Sequence, residues 1–278
     1  MESIEIVRRK LIIPEPKQLW TSDLKDKRRM VIGAKTVWAQ FRHTFGFQIP
    51  TNVNSLIFGT LPRDNQKYDK SEELVYGLSL AQSNLSGINV CHWSSPECRA
   101  NCVGKNGNNG FPSIMRAKIA KTRFLFEHPE EAGIVLADFW EKAHEKVELG
   151  HEVGGRLNTY SDLNWIEVAP WIFERFPEIN FYDYTKDWNR TSPFENYHLT
   201  YSASERTTDD EIIGFVSQGK NVAIVFSSWS KLPTNYLGFQ VVNGDIDDVR
   251  WKDPVGVIVG LKRKGSMKAD SPMVRKAA

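Results

Sequence analysis

All three cysteines of the chain, Cys91, Cys98 and Cys102, fall within the stretch "CHWSSPECRANC". Thiols used as ordinary small core residues would seldom crowd together in this way over 278 positions, so the cluster reads as a site. In a reducing compartment an odd number of cysteines is a poor disulfide framework, which leaves a metal centre or a catalytic thiol. The segment "SSPECRANCVGKNGNNGFP" is rich in Ser, Pro, Gly and Asn, residues that let a backbone wrap around something small. Cys98 and Cys102 are four apart and share a face if a helical turn starts at Pro96. Cys91 then closes the site from the end of a preceding strand.

Three thiolates leave a tetrahedral zinc one ligand short. His92 is badly placed beside Cys91, and His43, His128, His144, His151 and His198 would have to arrive through the fold. A [4Fe-4S] cluster on three cysteines needs no hidden partner and keeps one iron open for a small-molecule cofactor or substrate. The expectation is therefore a [4Fe-4S] cluster, with zinc as the alternative.

Elements that could position such a loop follow from periodicity. "LVYGLSLA" (74–81) reads as the strand feeding it, and "PSIMRAKIAKTRFLFEHPEE" as a helix after it, with Pro112 in the first turn. Beyond residue 131 helices and strands alternate: a helix to Gly150, a strand over 154–162, a helix over 163–177, strands over 179–186 and 197–204, a helix over 209–219 and a strand over 221–228. "LGFQVVNGD" and "GVIVGLKRKG" close the sequence. This pattern predicts an α/β protein with a mostly parallel sheet, either open or a partial or full (β/α) barrel. The predicted domain plan is an N-terminal extension (1–74), an α/β core (75–265) and a flexible basic tail (266–278).

In such folds ligands bind beyond the carboxyl ends of the strands. The polar residues expected there are Asn158, Ser161, Thr185, Ser202 and Ser204 as cofactor-binding groups, and Lys186, Asp162 and Glu205 as catalytic groups, with Ser227 and Ser228 after a fourth strand. Arg116 and Lys121 belong to a basic ridge with Lys118 and Arg123, suited to phosphate or carboxylate. Capping of helices and an ordinary solvated face compete with these readings. The aspartates of "NGDIDDVRWKDP" lack calcium-loop spacing and read as a turn with one member facing the site.

With 41% apolar and 25% charged residues the chain can bury a full core; a net charge of +2 is too small for a protein whose main job is coating nucleic acid, although a local basic patch could still bind phosphates, so net charge decides little. No segment reaches the length of a membrane span, and the sequence reads as soluble and cytoplasmic.

The segments "LSLAQSNLSGINVCHWSSPECRANCVG", "RAKIAKTRFLFE", "RLNTYSDLNW", "FYDYTKDWNR", "YHLTYSASE", "NVAIVF" and "NGDIDDVRWKDPVGVIVGLKRKG" together resemble a family of phage and prophage proteins related to those called phage gene product 88. The likeness runs from about Leu78 to Gly265 and leaves out residues 1–74. If phage-encoded, the protein would work in the host cytoplasm. Three cysteines in one loop after a first strand also resemble radical S-adenosylmethionine enzymes, although the usual C-x3-C-x2-C spacing and a Gly-Gly-Glu-like strand end are absent. That resemblance implies S-adenosylmethionine on the open iron, and the phage context points to a nucleotide or nucleic-acid substrate. The competing expectation is a zinc- or cluster-stabilised nucleic-acid-associated protein of phage DNA metabolism without catalytic activity, whose basic residues contact phosphates.

Overall fold

The computed structural model describes residues 10–47, 73–227, 231–265 and 267–276; the expected role of Ser228 lies outside them. Its strands are β1 (Leu74–Gly77), β2 (Val153–Arg156), β3 (Asn180–Thr185), β4 (Tyr197–Ser202), β5 (Asn221–Phe226), β6 (Asn235–Tyr236), β7 (Phe239–Asn243) and β8 (Ile258–Lys262). They form one sheet in the order β1-β2-β3-β4-β5-β8-β7-β6. All pairings are parallel except the β6–β7 hairpin. That hairpin turns at Leu237 and Gly238, both at positive φ, as a tight type I′ connection requires. β1 and β6 are the two ends of the order, so the sheet does not close into a full barrel.

The helices are α1 (Lys17–Thr21), α2 (Leu24–His43), α3 (Pro96–Ala100), α4 (Pro112–Glu127), α5 (Pro129–Glu148), α6 (Trp165–Val168), α7 (Trp171–Arg175) and α8 (Asp209–Ser217). Among the described residues none is long and apolar enough to cross a membrane. Local chemistry sets their ends. Asp23 caps α2 by accepting from the Asp26 N–H, and Thr208 with Glu211 forms a full capping box on α8. Gly219, at φ +81°, follows α8 in the left-handed conformation that glycine adopts without steric cost. The helix expected over 163–177 is two short ones, because Pro170 disfavours helical backbone at Ala169, which sits at φ −155°. The strand expected over 154–162 stops at Arg156, and its polar second half is a loop.

From β1 to β5 each strand is laid beside its predecessor in chain order, and right-handed crossovers, the rule for parallel strands, put the connecting helices α4, α5 and α8 on one face. Packing bears this out. Val153, Phe181 and Tyr197 share an apolar cluster with the buried sides of α2, α4 and α5, and Val222, Ile224 and Phe226 continue it with Ile212 and Val216 of α8. Residues before β1 join the same core, since Ile13, Leu19 and Trp38 are each about 1% exposed within it. Residues 267–276, read as a flexible tail, lie against the sheet: Met267 and Val274 are buried and the Arg275 N–H donates to Val225 O.

Among the described residues the opposite face of the sheet has no α-helical layer. Val75, Tyr182 and Tyr184 meet Val249 and Trp251 there, around a 3₁₀ turn at Arg250–Lys252. The glycines of "VGGR" in β2 make this two-sided packing possible. A Cβ on Gly154 would lie 2.3 Å from the Trp251 indole, and one on Gly155 would lie 2.6 Å from Trp140 on the helical side. Gly154→Ala is therefore expected to destabilise the fold by about 1–3 kcal/mol through overpacking. Urea unfolding followed by tryptophan fluorescence measures this, and an unchanged midpoint would mean that Trp251 does not press on β2.

Candidate metal and ligand site

The unlayered face opens, beyond the carboxyl ends of the parallel strands, into a cavity of about 270 Å³. Cys91, Cys98 and Cys102 all line it. Their loop is held from several sides. Ser95 caps α3 by accepting from the Cys98 N–H at 3.1 Å, and donates its own hydroxyl to Glu205 Oε2 at 2.6 Å. Glu205 Oε1 also accepts from the Glu97 N–H, and Glu97 in turn accepts from Ser271 Oγ at 2.9 Å. The β4 loop and the C-terminal segment thus clasp the turn that bears Cys98.

Two of the sulfurs sit in front of backbone N–H groups. Ser83, a non-glycine residue at φ +52°, donates its N–H to Cys91 Sγ at 3.3 Å, and the Gly104 N–H faces Cys102. Burial pushes the Cys91 thiol up to about 12, with Asp162 and the other two thiols adding to the rise and the Ser83 N–H opposing it. Burial likewise raises Cys102, against the Gly104 N–H. Without a cation these thiols keep their protons, so an ion that binds them must displace protons. Close by, Lys118 is 2% exposed and donates to Gly104 O at 2.7 Å and Asn109 O at 3.2 Å, with its ammonium 4.8 Å from the centre of the Tyr160 ring. Burial pulls that ammonium down to about 8, partly opposed by Cys102. Gly104 sits tightly in this crowd, since a Cβ there would press on the Gln82 and Tyr160 side chains at 3.1 Å.

The donor set bears on which group the loop could hold. None of the six histidines lines the cavity, so the completion by histidine that zinc would want is not offered there. The buried amide of Gln82, beside Gly104 of the cysteine loop, has neither atom hydrogen-bonded among the described residues. Among the described residues no three His, Cys, Asp or Glu side chains converge closely enough to hold an ion as they stand. All three thiols stand in one loop on one cavity, and an ion shared by them would have to draw them closer together.

The model of the family described as Gene product 88 matches residues 58–277. The chain belongs to the gene product 88 family. No curated protein and no solved structure matches it, and these comparisons lend no support to the likeness to radical S-adenosylmethionine enzymes.

Of the residues expected at the rim of this gene product 88 protein, Asn158, Ser161, Asp162, Lys186 and Ser202 line the cavity. Their carboxylates and amides are largely committed to the scaffold. Asp162 accepts from Thr185 Oγ1 and from the Lys186 N–H, both at 2.9 Å, and pairs with the buried Arg190 at 2.9 Å. Asn158 Oδ1 accepts from Ser161 Oγ, the Leu163 N–H and Trp165 Nε1. Thr185, Ser204 and Glu205 stand behind the wall; Ser204 closes a turn with Thr207. Arg116 lies away from the cavity, near Phe47, and Lys121 does not line it either. Of that ridge it is Lys118 that turns inward. Arg156, Asp248, Lys262 and Lys264 line the cavity without having been singled out, apart from the expectation that one aspartate of 245–253 would face it. An Arg at a strand's carboxyl end was a readable signal for the first.

Beneath the loop 158–163 lies Asp183, fully buried, accepting from the Asn158 N–H at 2.7 Å, Asn158 Nδ2 at 3.0 Å and Tyr197 OH at 2.8 Å. Burial raises its pKa from 3.8 to about 7, against those donors and the Arg156 and Arg190 charges. Between these two values the folded chain holds a proton that the unfolded chain has released, so this group's contribution makes stability fall as pH rises through the window. Asp183→Asn is expected to flatten the decline in thermal midpoint between about pH 4 and about pH 7. Equal declines in both proteins would show that Asp183 ionises as an ordinary carboxylate.

Proposed function

We propose that this gene product 88 protein is an iron-sulfur enzyme in which Cys91, Cys98 and Cys102 hold a [4Fe-4S] cluster at the mouth of a ligand cavity. The observation that carries this reading is that all three thiols of the chain open into one cavity that no histidine lines. A structural metal is normally sealed by four protein ligands, whereas three ligands and an open side suit a catalytic centre. When bound, such a cluster supplies an open iron and an electron for the reductive cleavage of S-adenosylmethionine, the cofactor that goes with this reading.

The chain's own share is binding, orientation and exclusion of water. Ser83 and Gly104 offer N–H groups that stabilise thiolates, and the buried Lys118 lends positive charge behind Cys102. Glu205 acts on the site through Ser95, fixing the turn that bears Cys98, and is a positioning residue. Asp162 likewise positions, by locking Lys186 and the 158–163 loop together. Lys186 is the group left to meet a substrate. A partial-barrel description of the sheet belongs with this reading, since the connecting helices α4, α5 and α8 pack on one face and the cavity opens on the other.

Anaerobic purification followed by iron, sulfide and zinc analysis tests the proposal. About four irons and four sulfides per chain are expected, falling to background in Cys98→Ala with the fold retained by circular dichroism. A colourless protein with one zinc and salt-sensitive nucleic-acid binding would replace this reading with the structural one.

A further inference from the structure

The charges on the cavity wall do not balance. Two carboxylates line it, Asp162 and Asp248, along with four cations, Arg156, Lys186, Lys262 and Lys264. Each acid already has a partner of its own: Asp162 pairs with Arg190 at 2.9 Å, and Asp248, 2% exposed, with Arg156 at 2.8 Å. Lys264 reaches Asp245 at 3.0 Å. Lys186 and Lys262 have no carboxylate partner among the described residues; the Lys186 ammonium approaches only Ala203 O, at 3.5 Å. A concave, low-dielectric wall strengthens the field of cations that are left over in this way.

The rest of the wall is apolar. Val225 and Leu261 rise from the sheet, and Met267 and Met273 come over from the C-terminal segment. Methionine side chains adapt to irregular apolar ligands. At about 270 Å³ the cavity is of the size that takes small-molecule ligands.

We infer that this cavity recognises a small organic oxyanion, a phosphate monoester or a carboxylate, whose charged group is held by Lys186 and Lys262 and whose apolar body lies on Met267, Met273, Val225 and Leu261. The inference names the substrate class for the site proposed above and rests on that reading for its catalytic meaning, though the binding itself does not. A lysine ammonium serves either oxyanion as a point charge, without the bidentate geometry that would select one.

Calorimetric titrations with two matched pairs test this and separate the two sources of negative charge: adenosine 5′-monophosphate against adenosine, and phenylacetate against phenylacetamide. The charged member of at least one pair is expected to bind the wild-type protein about tenfold or more tightly than its neutral twin, with the preference lost in Lys186→Ala and reduced in Lys262→Ala. Neutral twins should bind all variants alike, which shows that the cavity is intact. No preference in the wild type, or an undiminished one in Lys186→Ala, overturns the inference. The same titrations on Cys98→Ala keep the two claims apart. A preference that survives loss of metal supports the lysine site, whereas one that vanishes with the metal assigns the anion to the metal centre and refutes it. A wild-type protein that shows the preference but carries no iron leaves the oxyanion site standing and removes the cluster.

Discussion

One buried ion pair holds the parts of this site in register. The Asp162 carboxylate faces Arg190, takes the Thr185 hydroxyl and the Lys186 N–H, and its own N–H donates to Val90 O, one residue before Cys91. The loop after β2, the end of β3 and the approach to the first cysteine therefore meet at a single residue. Arg190 extends the knot by donating to the carbonyls of Asp162 and Leu163, while the Arg190 carbonyl accepts from Tyr201 OH at 2.6 Å. A buried pair of this kind is weak evidence for net stability, but removing one partner strands a charge and costs about 3–5 kcal/mol. Its value here is geometric, because Lys186 and Cys91 share a cavity only while the knot holds.

Strand order supplies the cavity itself. Parallel strands added in one direction put their helices on one face, and the opposite face must then be filled by something other than a helix. Trp251 fills the amino-terminal half, resting on Gly154 and Tyr182, while the carboxyl-terminal half stays open between the cysteine loop and the C-terminal segment. The same arrangement explains why the thiols, the committed aspartate and the unpaired lysines come together although they lie far apart in sequence.

Much of this was legible beforehand. The apolar alternation of "FYDYT" and "NVAIVF" marked β3 and β5, and polar residues at strand ends marked the rim on which Asn158, Ser161, Asp162, Lys186 and Ser202 meet. What periodicity could not reveal was partnership. Asp162 and Glu205 have the side chains of catalytic acids, yet their carboxylates are taken up by Arg190 and by the Ser95–Glu97 turn, contacts made across 28 and more than 100 positions of chain. Arg116, Lys118 and Lys121 are indistinguishable as a charged helix face; only packing against Tyr160 and the Gly104 carbonyl turns Lys118 inward. Insertion of β8 beside β5, ahead of β7 and β6, likewise depends on a long-range pairing that no local pattern encodes.

Crystals grown without oxygen and measured at the iron absorption edge would test the central claim most directly. The account predicts one anomalous peak in contact with the sulfurs of Cys91, Cys98 and Cys102, with its fourth side toward the cavity and Lys186. An iron-free loop, or a metal there closed off by a fourth protein ligand, would contradict it.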